Sequence, residues 1–275
     1  MMLELSYSAC RAVTRRANSS FPLAFRLLRA DKHRAMDALY AFSRITDDIA
    51  DEPGEPQARR EALTAWCQSL DLTLSGIDSH PIHAALHDTV RRFEIPTRYL
   101  YEVIDGVEMD LEPLRFETFE QLEPYCYRVA SAVGLACVRI WGLKPGASFA
   151  DSDVPAKAAG IAFQLTNILR DLGEDADRGR DYLPREDRER FPNRSDLMQF
   201  QIERVRGYYT AAAALDGLLS NEGRAIFRVM SGSYRALLET IAKRTEAVFE
   251  QRVRVPRWRK GLIFLSAWPV KWGWL

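Results

Sequence analysis

Two stretches of this 275-residue chain set carboxylates one helical turn apart along segments that are otherwise largely apolar. The first runs from Ala38 to Glu52. At about 100° per residue, Asp47 and Asp51 lie about 40° apart, and Tyr40 and Arg44 fall within about 60° of the same line. Ala38, Leu39, Ala41, Phe42, Ile45 and Ile49 surround them. The second runs from Gly160 to Asp175, where Gln164, Asn167, Asp171 and Asp175 share about 80° of arc. A helix of this kind buries its apolar flanks against other helices and turns its polar stripe toward a hollow or water.

The rest of the chain punctuates itself in the same way. The spacing predicts helices over 8–17, 22–30, 32–51, 56–74, 81–92, 96–111, 124–142, 152–174, 194–218, 221–250 and 256–266. The 13 prolines stand mostly at or between segment ends, with Pro81, Pro96 and Pro124 suited to first helical turns. Period-two alternation is scarce, so strands have little support. Residues 142–152 and 175–195 are the least helical and read as surface loops within one all-α domain spanning 1–275.

Composition narrows the function classes. Apolar residues at 47% and charged residues at 28% exclude a wholly disordered chain. Lys+Arg and Asp+Glu both number 38, and the missing basic surplus argues against a general nucleic-acid partner. The four cysteines form no C-x-x-C pair and read as reduced thiols in the cytoplasm. The opening MMLELSYSACRAVTRR lacks the basic-then-apolar order of a signal peptide, and no uncharged apolar run is long enough to span a bilayer.

Carboxylates one turn apart can share a divalent cation, and two such helices facing each other can cage several. Mg2+ takes few protein carboxylates and completes its shell with water and phosphate oxygens. Such ions neutralise a diphosphate and make it a leaving group. Arg44 and Arg170 suit bidentate contact with phosphate. One D-x-x-x-D pair is usually just a solvated face; two, each extended by further polar residues, point to chemistry.

These residues resemble a known family. Y-A-F-S-R-I-T-D-D-I-A-D from Tyr40, then about 120 residues later Q-L-T-N-I-L-R-D-L-G-E-D-A-D-R-G-R-D-Y-L-P from Gln164, is similar to the squalene/phytoene synthases. The block Tyr125-Cys126-Tyr127-Arg128-Val129-Ala130-Ser131-Ala132-Val133-Gly134 matches too, and the likeness runs from about residue 8 to 250. The resemblance implies an all-α, single-domain isoprenoid-synthase bundle around a central apolar cavity. It implies Mg2+-dependent head-to-head joining of two prenyl diphosphates through a cyclopropyl intermediate, with roughly two or three ions bound alongside substrate. Asp47, Asp51, Asn167, Asp171 and Asp175 take the metal positions. Asn18, Ser19, Ser20, Tyr40, Arg44, Gln164, Arg170 and Tyr234 take substrate positions, and Arg44, Tyr125, Arg170 and Tyr234 catalytic ones. Aromatic faces suit allylic cations, which they attract without quenching. Ala17 stands where some members carry histidine, Arg29-Ala30 replaces a Leu-Pro continuation, and the loop after Leu183-Pro184 is short.

The likeness favours two farnesyl diphosphates giving presqualene diphosphate or squalene, as in the bacterial hopanoid-pathway type. The alternative is two geranylgeranyl diphosphates giving phytoene. A non-catalytic prenyl-lipid binder would be expected to have lost one acidic pair, and both are intact. A di-iron bundle needs Glu-x-x-His ligands, which are missing. NADPH use is left open; no G-x-G-x-x-G is present. The subunit is expected as a monomer or homodimer.

Four features stand outside this reading. His80, His83 and His87 read as an exposed helix start rather than a zinc site. Asp105 and Asp110 read by default as a solvated face, with a place at the cavity edge as the other reading. Arg178-Gly179-Arg180-Asp181-Tyr182 is either a flap over phosphates or a plain charged loop. Residues 251–275 hold six basic groups, no acidic one and Trp258, Trp268, Trp272 and Trp274. That mixture suits a lipid interface, so the segment is either a peripheral membrane contact on the inner leaflet or a helix capping the core.

Overall fold

A computed structural model describes residues 2–17, 21–112 and 114–274. Asn18, Ser19 and Ser20 lie outside the described residues. In chain order the helices are α1 (Met2–Arg16), α2 (Phe21–Ala24), α3 (Ala30–Asp51), α4 (Pro56–Leu74), α5 (His83–Arg92), α6 (Arg98–Met109) and α7 (Phe119–Cys126). They continue as α8 (Ala132–Trp141), α9 (Phe149–Asp177), α10 (Arg185–Arg190), α11 (Arg194–Ala212), α12 (Asn221–Ala242), α13 (Arg257–Ser266) and α14 (Trp268–Lys271). The described residues contain isolated bridges but no strand. The all-α expectation holds.

The two striped helices are the axes of the fold. α3 packs against α1, α4, α5, α6 and α8, while α9 packs against α7, α8, α11 and α12. Phe42 is fully buried on α3 and stacks on Trp66 of α4 at 5.9 Å. The Trp66 indole N–H donates to Thr46 Oγ1 at 2.9 Å, so the inner face of α3 is locked while its acidic face stays free. Replacing Phe42 by alanine would cost about 3–5 kcal/mol.

α9 starts at a capping box. The Asp151 N–H donates to Ser148 Oγ at 3.2 Å, and the Ser148 N–H donates to Asp151 Oδ2 at 3.1 Å. Its early turns feed one apolar cluster through Ala156, Ala158 and Ala159, and its later turns feed a second through Ile161, Leu165, Ile168 and Leu169. Gly160 between them allows a close approach of the backbones: a β-carbon there would stand 2.4 Å from Ser131 Cα.

Several boundaries differ from expectation. Pro124 lies inside α7 rather than in a first turn, and a π turn over Tyr127–Ser131 follows before α8. A proline that cannot donate inside a helix interrupts regular hydrogen bonding. The 175–195 loop is partly helical: α9 continues to Asp177, and α10 occupies Arg185–Arg190. The segment before α10 is pinned, with Asp181 N–H donating to the Leu114 carbonyl at 3.2 Å and Arg185 N–H to that of Phe116 at 2.9 Å. His83 is not an exposed helix start. It is 1% exposed, 5.5 Å from the Trp66 ring, and burial pushes its imidazole down to about 4, so it is a neutral core residue.

Candidate active site

A hollow of about 330 Å3 lies between the acidic faces of α3 and α9. It brings together Arg44, Asp47 and Asp51 from α3 with Gln164, Asn167, Arg170, Asp171 and Asp175 from α9. On α9 helical spacing explains the set, because Leu165 and Leu169 point into the core and leave the polar residues on the other side. Asp110, Tyr125, Arg178, Arg180 and Tyr182 complete the polar wall; Ala50, Val107 and Ile168 are its apolar members. The lining of the hollow is mostly charged and polar, which suits diphosphate groups rather than prenyl chains, so the apolar cavity expected behind the acidic mouth is no part of it. Tyr40 and Tyr234 do not line it. Tyr40 stands edge-on to Phe25 at 6.1 Å. Tyr234 stacks on Phe163 at 4.6 Å and lies 5.8 Å from Phe21.

The two acidic faces carry their charge differently. Asp47 opens onto the hollow, whose protein walls displace bulk water and push its carboxyl up to about 7. Asp51, Asp110 and Asp48 add to that push, and Arg44 opposes it. Arg44 itself pairs with Asp48, the outward neighbour. Across the hollow, Asp171 is held by Arg170, whose Nε donates to Oδ1 at 2.7 Å, and by Arg252, whose Nε lies 3.0 Å from the same oxygen. Arg252 also reaches Glu174 at 3.5 Å. Burial raises Asp175 to about 6, with Asp171 contributing and Arg180 and Arg178 opposing.

Sequence reasoning placed Asp110 by default on a solvated face. The structure corrects this: Asp110 accepts from Tyr125 at 3.0 Å and from Tyr182 at 3.0 Å. The two phenol rings stack at 5.3 Å. Burial raises the Asp110 carboxyl, Arg180 and the two hydroxyls counter it, and Asp51 adds to the rise. Asp105 is exposed as expected. Arg252 was also missed as a site residue. Its signal, a basic residue in an acid-free tail, says nothing about which carboxylate it meets. Arg178 and Arg180 both line the hollow, so their segment faces the site rather than only solvent.

The donor set fits a hard cation. Asn167 Oδ1 is buried with no hydrogen-bond partner among the described residues, an acceptor oxygen of the kind Mg2+ takes. Among the described residues no three Asp, Glu, His or Cys side chains converge on one point. Each face would therefore supply only part of a cation's coordination shell.

The squalene/phytoene synthase family model matches residues 14–259. The chain belongs to the squalene/phytoene synthase family. It is 37% identical to a 15-cis-phytoene synthase of Synechococcus elongatus, over 94% of this chain and 91% of that protein. It is 36% identical to a phytoene synthase of Arthrospira platensis, over 93% and 90%. Among solved structures, a dehydrosqualene synthase in complex with ligand superposes with a TM-score of 0.86 at 28% identity, covering 96% of each chain. Membership makes this chain a prenyltransferase, and head-to-head joining of prenyl diphosphates is the family reaction.

Proposed function

We propose that this chain joins two geranylgeranyl diphosphates head to head to give phytoene, releasing diphosphate. The facing of the α3 and α9 stripes across one polar hollow carries the reaction class. The relatives named phytoene synthase, at 37% and 36% identity, support this longer chain over farnesyl diphosphate. A farnesyl substrate is the second reading, favoured by the dehydrosqualene synthase superposition.

Charge in the hollow supports a metal requirement. Five carboxylates and four guanidiniums line it, so arriving diphosphates meet no spare positive charge. Asp47 and Asp51 on one side and Asn167, Asp171 and Asp175 on the other are the residues that would hold Mg2+. The bound ions supply Lewis-acid neutralisation of the leaving diphosphate. Arg170, Arg178, Arg180 and Arg44 bind phosphate oxygens from the rim, Arg170 giving up Asp171 to do so. Asp110 holds the Tyr125 and Tyr182 hydroxyls in place. Tyr234 and Phe163 present stacked aromatic faces beside the head-group site, suited to shelter an allylic cation from water.

The test is incubation of the purified protein with Mg2+ and farnesyl or geranylgeranyl diphosphate, with and without NADPH, followed by mass analysis. A C40 product from geranylgeranyl diphosphate alone is expected. A C30 product in its place installs the second reading, and no product from either substrate overturns the assignment.

A further inference from the structure

The C-terminal helices carry an apolar surface that no part of the described fold covers. Trp258, Leu262 and Leu265 follow one another at spacings of four and three along α13, and are 68%, 58% and 62% exposed. None of the ten residues of α13 is buried. Past Ala267, Trp268, Trp272 and Trp274 are exposed as well. The opposite side of α13 is anchored: Ile263 lies against Gly232 of α12, so close that a β-carbon on Gly232 would stand 3.1 Å from it. Gly232 is two residues from Tyr234. Val253, Val255, Ala267 and Val270 are buried on either side. The segment is therefore a fixed part of the fold with one face left open, not a loose tail.

Charge identifies what that face meets. Residues 251–275 contain six Lys and Arg and no Asp or Glu, in a chain whose overall formal charge is zero. Arg252 is occupied by Asp171 and Glu174. Arg254 and Arg257 come just before the exposed row in the chain and are themselves exposed. Lys271 sits 5.5 Å from the Trp268 ring and 5.7 Å from that of Trp272. Tryptophan beside Lys and Arg is the composition of a membrane–water interface, where the ring lies among head groups and the cation meets lipid phosphate. Among the described residues no helix is long and apolar enough to cross a membrane, so the contact is made from one side.

We propose that the outer face of α13 and α14 docks this protein on an anionic lipid bilayer, with Trp258, Leu262 and Leu265 entering the head-group layer and Arg254, Arg257 and Lys271 pairing with lipid phosphates. Docking by this face sets the α12 wall near Tyr234 toward the bilayer, where a long apolar product is soluble.

The test uses the full chain and does not read turnover, so it stands or falls apart from the prenyltransferase assignment. Protein is mixed with vesicles of phosphatidylcholine alone, or of phosphatidylcholine with phosphatidylglycerol, and floated on a density gradient. Wild type is expected to float with the anionic vesicles, less so in high salt. The combined variant Trp258→Ala, Leu262→Ala, Leu265→Ala and the charge-reversal variant Arg254→Glu, Arg257→Glu should each bind roughly tenfold more weakly. Thermal melting and far-UV circular dichroism should stay as in wild type. Should the triple variant fold poorly, Trp272→Ala with Trp274→Ala, at 60% and 77% exposure, gives the same comparison. Wild type that stays unbound to anionic vesicles overturns the proposal, as does a folded triple variant that floats equally well. A dimer in sedimentation that the triple variant splits into monomers reassigns the face to a second copy of the chain and also overturns it.

Discussion

The acidic face of α3 and the acidic face of α9 look alike as sequences and behave differently as structures. On α3, Asp47 and Asp51 face the hollow with no ion-pair partner among the described residues, because Arg44, at the rim of the hollow, pairs with Asp48. On α9, Asp171 is clasped by Arg170 from the adjacent position and by Arg252 from 81 residues away. On α3 the carboxylates repel each other unanswered; on α9 the charge of Asp171 is answered by guanidiniums, although Asp171 still raises Asp175. The difference teaches that incoming positive charge is simply gained at α3, whereas at α9 it must displace arginines. Those arginines are then free to take phosphate.

The largest effect is expected from removing one carboxylate on either side. Asp47→Asn and Asp171→Asn should each lower turnover by roughly a thousandfold, since a Lewis-acid centre contributes several kcal/mol to the barrier. Steady-state kinetics beside an unchanged helical circular dichroism spectrum check this, and an active Asp171→Asn protein contradicts the site. Asp110→Asn should cost about tenfold to a hundredfold, the usual penalty for losing a group that orients others. A matching loss in Tyr182→Phe would tie the effect to the tyrosine pair.

The comparison itself is sharpened by Arg252→Gln. If Arg252 competes with a cation for Asp171, its removal should tighten Mg2+ or Mn2+ binding to the substrate-free protein by roughly threefold, the scale of a part-exposed ion pair. Calorimetric titration reads this directly, and weaker binding would make Arg252 an organiser of Asp171 instead.

The smallest effect is on stability, and its sign differs between the sides. Folded Asp47 keeps its proton up to about pH 7, against a usual carboxyl value of 3.8. Raising pH through that window therefore takes stability away from the metal-free protein. Solvent screening keeps this near 1 kcal/mol, so Asp47→Asn should melt roughly 2–4 °C higher at pH 8. Asp171→Asn should melt lower, because Arg170 and Arg252 lose their partner. Thermal scans with and without Mg2+ separate the two, and equal shifts would erase the contrast.

Much of the site is legible in the sequence. Asp47 and Asp51, and Asn167, Asp171 and Asp175, reach the hollow because positions three and four apart share a helical face. Asp110 was harder, since it ends α6 and its meaning comes from Tyr125 and Tyr182, 15 and 72 residues away. His83 misled for the reverse reason. A polar residue at a helix start reads as exposed, and only the packing of α4 on α5, with Trp66 beside the ring, buries it.

By itself the sequence determined the helices, their buried sides and the two polar stripes, because periodicity records which side chains line up along one rigid rod. Only the tertiary structure decided that the stripes face each other, that Arg252 closes on Asp171, and that α13 keeps one side bare. Those relations join residues far apart in the chain, and their distances depend on how every intervening helix packs.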